Sequence, residues 1–242
     1  MKQYEAVIAT LERLGGQATL AELNLEVMKI KDCEWKTKTP FASIRRIVQQ
    51  RPEIFKVRPG LWALRSYQQR LGLVEYLPET EDTDVNFEQG HSYYQGILAE
   101  LGNMRGYKTF IPNQDRNKTF VNRPLDDVRS LDELPAFSYD QFIHKVATVD
   151  VSWFNERKMP VRLYEVEHST QFENSLSKFV ELQDFNVGMF IVASEARKRE
   201  YVDKIDLSAY RDVKNRVQFI SYDVLVSVYE NEYARSHLSH AF

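Results

Sequence analysis

Cysteine is nearly missing from this chain, with Cys33 the sole example. One thiol can form no internal disulfide and has no second thiolate for a zinc site, so a disulfide framework is excluded and a reducing, cytoplasmic setting is expected. Long apolar runs are also lacking. No segment approaches the roughly 20 residues of a membrane span. The opening Met-Lys-Gln-Tyr-Glu has no uninterrupted apolar core of the signal-peptide kind. The expectation is a soluble chain with no membrane partner. A large net charge is missing too: 28% charged residues cancel to -3, which argues neither for nor against a polyanionic partner. The distribution is more telling. Met1 to Gly72 holds 13 Lys+Arg against 7 Asp+Glu, leaving 19 against 28 for the remainder of the 32 and 35 in all.

With 242 residues, 43% of them hydrophobic, the chain can supply two ordinary domains with cores. Apolar spacing at Val7, Ile8, Leu11 and Leu14 predicts a first helix over Lys2 to Leu14, stopped by Gly15-Gly16. Leu20, Leu23 and Val27 predict a second from Thr19, with Thr19 and Glu22 spaced as a capping box. Thr39-Pro40 offers an N-cap and a first-turn proline for a third, whose inner face is Ile44, Ile47 and Val48. Ile54 to Ser66 then reads as two short strands around a Pro59-Gly60 turn.

Three helices and a hairpin make the winged-helix order, in which the third helix usually enters the major groove. Lys38-Thr39-Pro40 through Ile44, then Phe55-Lys56-Val57-Arg58-Pro59-Gly60-Leu61-Trp62-Ala63-Leu64, resembles the HARE helix-turn-helix family over about the first 70 residues. That resemblance implies a DNA-binding module of the sort attached to restriction or modification machinery. Arg45, Arg46, Gln49, Gln50 and Arg51 on the helix, with Lys56 and Arg58 on the wing, are the candidate DNA contacts. Ser43 and Gln49 are the candidate base readers. A solvated basic helix is the plainer alternative. Trp62 and Phe55 are expected in the core.

Glu75, Glu79, Glu81, Asp82, Asp84 and Glu88 crowd a stretch containing Pro78, so 73–90 is expected to be an acidic linker between a first domain, 1–72, and a second, 91–242. The second begins with a helix from Ser92 closed by Gly106, then an extended Tyr107 to Pro112 and a long polar connection, Asn113 to Glu133. Val149, Val151 and Trp153 alternate with Thr148, Asp150 and Ser152, and a further strand spans Val161 to His168. Helix (Thr170 to Asp184), strand (Val187 to Ser194), helix (Ala196 to Lys204), strand (Val217 to Ser221) and a final helix from Val224 follow.

Glu165 and Glu167 lie two apart on one strand, so both leave the same face with Cα atoms roughly 7 Å apart. A symmetric hairpin around Asn155 to Pro160 sets Asp150 opposite Glu165, with Cβ atoms roughly 5 Å apart, although one bulge would spoil the register. Carboxylates so close repel unless something compensates them, and a divalent cation does. Mg²⁺ prefers hard oxygen donors and is usually held by one or two carboxylates plus substrate phosphate. The bland alternative is a solvated acidic face.

Asp150-Val151-Ser152-Trp153 and Tyr164-Glu165-Val166-Glu167-His168-Ser169 resemble the PD-(D/E)xK nuclease superfamily, over roughly Ser92 to Tyr229. The resemblance implies Asp150 and Glu165 as metal ligands, a third oxygen from the carbonyl of Val166, and an additional acidic ligand at Glu100 in the first helix. Where most members carry lysine this chain has Glu167, so Glu167 is either general base or ligand to a second metal, and Lys178 is the candidate replacement positive charge. Strand alternation turns His168 to the other face. Arg197, Lys198 and Arg199 are either a phosphate-facing patch or a solvated helix surface.

The combined expectation is a two-domain α+β protein, an N-terminal winged helix followed by a restriction-endonuclease-like α/β core with a central mixed sheet. It would be a Mg²⁺-dependent endonuclease, with Mn²⁺ as substitute, that binds double-stranded DNA and works as a homodimer, because a two-fold pair matches duplex symmetry. The alternative is a non-catalytic DNA-binding regulator or adaptor with a degenerate nuclease-like half.

Overall fold

The computed structural model describes residues 1–76, 84–168 and 171–238, with 84–88 and 238 described by backbone alone. It divides into two compact units, Met1–Glu81 with Val226–Phe242, and Asp82–Leu225.

In the first unit, α1 (Gln3–Arg13), α2 (Leu20–Met28) and α3 (Pro40–Gln50) lie near their expected bounds, and β2 (Ile54–Arg58) and β3 (Leu61–Leu64) form the hairpin. Gly60 takes φ 78 at its turn, a conformation that costs glycine little. A strand not foreseen, β1 (Gln17–Thr19), adds to β3 to give the antiparallel order β1-β3-β2. Three residues are too few to display alternation, so pairing with β3 decides that strand. The Thr19 hydroxyl accepts from the Glu22 amide at 3.1 Å and caps α2. Pro40 opens α3 as expected, but the Thr39 side chain makes no cap bond; its hydroxyl lies 3.4 Å from that of Thr37. Val7, Leu11, Leu23, Val27, Ile44, Val48 and Trp62 fill the core, and Phe55 is buried as well. A short α4 (Gln68–Leu71) follows.

The second unit contains α5 (Asp84–Met104), β4 (Lys108–Phe110), the ribbon β5 (Thr119–Phe120) and β6 (Arg123–Pro124), α6 (Asp140–Val146), β7 (Val151–Phe154), β8 (Pro160–Glu167), α7 (Phe172–Glu181), β9 (Gly188–Ala193), α8 (Lys198–Ile205) and β10 (Val217–Ser221). The closing α9 (Tyr222–Leu238) starts here. The sheet order is β10-β9-β8-β7-β4, parallel from β8 to β10 and antiparallel from β8 to β4. Each parallel step needs a crossover, which α7 and α8 supply. This is an α+β arrangement around a central mixed five-stranded sheet.

The first helix of this unit begins at Asp84 rather than Ser92, so part of the acidic stretch is helical. An acidic residue in a first turn is favourable beside the helix dipole, and acidic composition alone hides such a helix. Residues 77–83, including Pro78, Glu79, Glu81 and Asp82, lie outside the described residues. The polar connection expected over Asn113 to Glu133 carries the β5–β6 ribbon, and α6 had no counterpart in the sequence reading.

Two glycines let α5 lie close on its neighbours. A Cβ on Gly96 would sit 2.2 Å from the Phe120 ring, and one on Gly102 would sit 2.5 Å from Thr109 and 2.8 Å from Trp153. Trp153 Nε1 donates to the Leu98 carbonyl at 3.1 Å, tying β7 to the same helix. On the other face, Phe172, Leu176 and Phe179 of α7 pack with Leu163 and Ile191.

Candidate active site

Strand β8 ends in two buried acids. Glu165 is 3% exposed and Glu167 4%, on the face toward α7. The β7–β8 hairpin runs in the expected register from Val151↔Tyr164 to Trp153↔Arg162 and slips only at Phe154↔Pro160, at the far end from the acids. Asp150 stands one residue before β7, and its Oδ2 accepts the Val166 amide at 2.7 Å. That bond fixes the aspartate against the strand segment that carries both glutamates.

Helix α7 supplies the counterparts. Its apolar face repeats at Phe172, Leu176 and Phe179, and Ser175 on the same buried face reaches the acids. Ser175 Oγ lies 3.1 Å from Glu165 Oε2 and also meets Glu167 Oε1. One hydroxyl proton serves one carboxylate at a time, so Glu165 and Glu167 compete for Ser175. Lys178, one turn on, donates to both Glu165 oxygens at 2.9 Å and to the Thr148 carbonyl at 2.7 Å, occupying its three protons.

The electrostatics separate the acids. Burial, then the Asp150 charge, pushes Glu165 well above the usual carboxylate range despite Lys178. Burial also opposes ionisation of Asp150, but His91, the Val166 amide and Lys178 together outweigh it and hold Asp150 low. The group therefore carries one firmly ionised acid beside one that holds a proton readily.

Sequence reasoning missed a second set of residues around Asp150. His91 Nε2 is 3.2 Å from Asp150 Oδ1. Gln95 Nε2 donates to Asp115 Oδ2 at 3.0 Å and to the Asp150 carbonyl at 3.3 Å. Among the described residues, ligand atoms of His91, Asp115 and Asp150 all lie within 4.8 Å of one another. The available signal was the pair His91 and Gln95, four apart on one helix face. Asp115 sits in a polar turn with no local signature.

Glu100 is not brought to this group. It meets Arg123 in a close ion pair, and nine residues from His91 place it on the opposite side of α5. His168 is buried and its Nδ1 lies 2.9 Å from the Tyr222 hydroxyl, which donates to the Glu167 carbonyl. Arg197 is held by Glu200 and by the His168 carbonyl at 2.6 Å, and Lys198 pairs with Glu195, whereas Arg199 is exposed.

In the first unit, Arg46, Gln49 and Gln50 are exposed on α3, and Ser43 and Arg46 line an open concavity with Lys36, Thr37 and Thr39. Arg45 is exposed but paired with Glu230. Arg51 pairs with Glu53 and lies 4.0 Å over the Tyr4 ring. Lys56 lies over the Tyr76 ring at 4.5 Å. Arg58, expected on the exposed wing, is only 6% exposed.

A mixed five-stranded sheet whose central strand ends in buried carboxylates is compatible with the core of a restriction-endonuclease-like protein. Residues 73–240 match the family model of the type II restriction enzyme NmeDI C-terminal domain, and the chain belongs to that family. Among curated proteins, the type II restriction enzyme NmeDI of Neisseria meningitidis serogroup C is 22% identical over 164 residues, a stretch covering 63% of this chain and 46% of the relative. The chain thus spans less than half of that relative's length. No solved structure matches it significantly.

Among the described residues, no helix is long and apolar enough to cross a membrane.

Proposed function

We propose that this chain is a divalent-metal-dependent endodeoxyribonuclease of the restriction type, hydrolysing phosphodiester bonds in double-stranded DNA. The observation that carries this reading is the acidic group at the end of the central strand: Glu165 and Glu167 are buried, Asp150 is tied beside them by the Val166 amide, and Lys178 is bonded to Glu165. Keeping several carboxylates out of water is costly unless they serve a cation or a proton.

The donor chemistry fits Mg²⁺, with Mn²⁺ as substitute: hard carboxylate oxygens from two chain segments, one of them anchored by a backbone amide. In this reading Asp150 and Glu165 are the ligands, the Val166 carbonyl adds an oxygen, and the cation supplies charge to polarise the scissile phosphate. Glu167 is the acid available to accept a proton from the attacking water. Lys178 is the positive charge standing in for the lysine that the PD-(D/E)xK pattern usually has at position 167. Glu100, committed to Arg123, has no part in it.

The first unit is proposed as a HARE-type winged helix that contacts DNA through α3, with Arg46, Gln49 and Gln50 outward, Ser43 at its start and Lys56 on the hairpin. Cutting both strands then calls for a homodimer, since one such site handles one strand. A monomeric mass under conditions of intact double-strand cutting would refute that part.

The test is plasmid digestion in Mg²⁺ and in Mn²⁺ by the parent, Asp150→Ala and Glu165→Ala. Nicking or linearisation by the parent alone is the expected result. Cutting by both variants would mean that other residues do the chemistry. DNA binding without cutting, across both cations and several DNA sources, would favour a regulator whose Glu165–Lys178 pair merely fills an inert site.

A further inference from the structure

We propose that the β5–β6 ribbon, with the turn that leads into it, enters the major groove of the duplex beside the bond to be cut and reads bases there through Arg116, Asn117 and Asn122. The inference rests on duplex DNA being the substrate and not on which residues cut it.

The ribbon is held at its base. Phe120 of β5 is buried, and α5 meets its ring at Gly96, where a Cβ would sit 2.2 Å away. Ser92 Oγ donates to the Thr119 carbonyl at 2.8 Å, and the Leu125 and Asp126 amides donate to the Lys118 and Arg116 carbonyls, each at 2.9 Å. Asp115, also buried, accepts from Gln95 Nε2, which donates to the Asp150 carbonyl as well. Carboxylate oxygens of Asp115 and Asp150 lie within 4.8 Å of each other, so the root of the ribbon stands beside Asp150. From Lys118, paired with Asp115, to Val121 at the tip is three residues. That is about 10 Å of strand, or about three base-pair steps.

The outward side carries groups that match base edges. Asn113, Gln114, Arg116, Asn117, Thr119 and Asn122 are exposed. A side-chain amide pairs at two points with adenine and a guanidinium with guanine, and the major groove is wide enough for a two-stranded ribbon. Charge runs the same way. Between Asn113 and Pro124 stand Arg116, Lys118 and Arg123 against Asp115 alone, in the part of the chain where acids outnumber bases. That one acid is turned inward and answered by Lys118 at 2.8 Å.

A solvated polar loop would account for the composition but not for Val121. It takes φ 53 in the two-residue turn between the strands, where glycine or asparagine is usual and a β-branched side chain is costly. Strain of this kind persists where surrounding contacts fix the backbone, and it gathers at sites that bind. The strained residue directly precedes Asn122, the exposed amide at the tip.

The experiment is selection from a randomised duplex pool by the full chain carrying Glu165→Gln, in Mg²⁺, with the bound fraction sequenced. Expected is a base preference that Arg116→Ala, Asn117→Ala and Asn122→Ala each relax at one or two adjacent positions, lowering discrimination there by about tenfold and leaving the rest of the motif intact. Melts that match the parent's would show that these surface changes leave the fold in place. A parent with no base preference, a motif unchanged in all three variants, or an equal loss of affinity for every sequence would overturn the proposal, the last marking a contact to phosphates alone. Selection through the ribbon by a parent that cuts nothing would keep this inference and remove the nuclease reading. Cutting by a parent whose motif the ribbon variants leave unaltered would do the reverse.

Discussion

At the residue scale, the site is centred on Glu165, a carboxylate with 4% of its side chain exposed, and on Lys178, with 26%. Removing one partner of a largely buried pair exposes the other to the full cost of burial. Lys178→Met should therefore destabilise the protein by roughly 3–5 kcal/mol, and by less where Glu165 takes up a proton. In a double-mutant cycle with Glu165→Gln, urea denaturation should give a coupling energy of about 1–3 kcal/mol; additive effects would show that the pair is not an energetic unit. The pH dependence has a definite sign. Burial and Asp150 raise Glu165, so its contribution is fully present below its unfolded pKa and is lost as pH rises through its folded pKa. Gln mimics the protonated acid. Melting temperatures of Glu165→Gln and the parent should accordingly converge toward acid and diverge in favour of the variant above the folded pKa. Asp150 runs the other way: its lowered pKa adds stability above its unfolded pKa that disappears as pH falls through the folded value. A parent that gains on Glu165→Gln with rising pH would contradict the assignment.

At the scale of elements, position depends on close approach. Gly102 sits where a Cβ would come within 2.8 Å of the buried Trp153 side chain, so Gly102→Ala should cost about 1–3 kcal/mol through overpacking, measured by chemical denaturation. A neutral or stabilising result would mean that α5 is free to move off the sheet. The same element shows what a sequence can and cannot disclose. Strand β9 lies within a residue of its expected bounds because a buried parallel strand reads as a continuous apolar run, and the edge strand β10 matches its expected bounds through its Val217, Phe219 and Ile220. Glu165 and Glu167 were legible as a pair because strand periodicity is local, and the symmetric hairpin brought Asp150 beside them. The start of α5 was hidden by acidic composition, and α6 was too short to show a period. His91, Gln95 and Asp115 meet Asp150 only through tertiary contact, across segments up to 55 residues apart for Gln95. Likewise the charge of Arg58 is plain in the sequence, but its burial follows from packing.

At the scale of the whole molecule, the chain joins a basic first segment to an acidic remainder, and a family defined over residues 73–240. If the first unit grips the phosphate backbone through α3, Arg46→Ala should weaken DNA binding uniformly across sequences and lower the salt slope by about one. Titrations of labelled duplex at several salt concentrations would read this. A variant with unaltered affinity and slope would move the DNA contact away from that helix. Arg58→Ala, by contrast, should act through stability, since that side chain is enclosed.

The central claim is that the acids at the end of β8 break a phosphodiester bond, and the most direct measurement is the single-turnover rate of strand scission at saturating DNA and Mg²⁺. Glu165→Gln, with folding verified by its melt and DNA affinity unchanged, should be slower than the parent by at least about a thousandfold, or roughly 4 kcal/mol of lost transition-state stabilisation. A rate within tenfold of the parent would contradict the account.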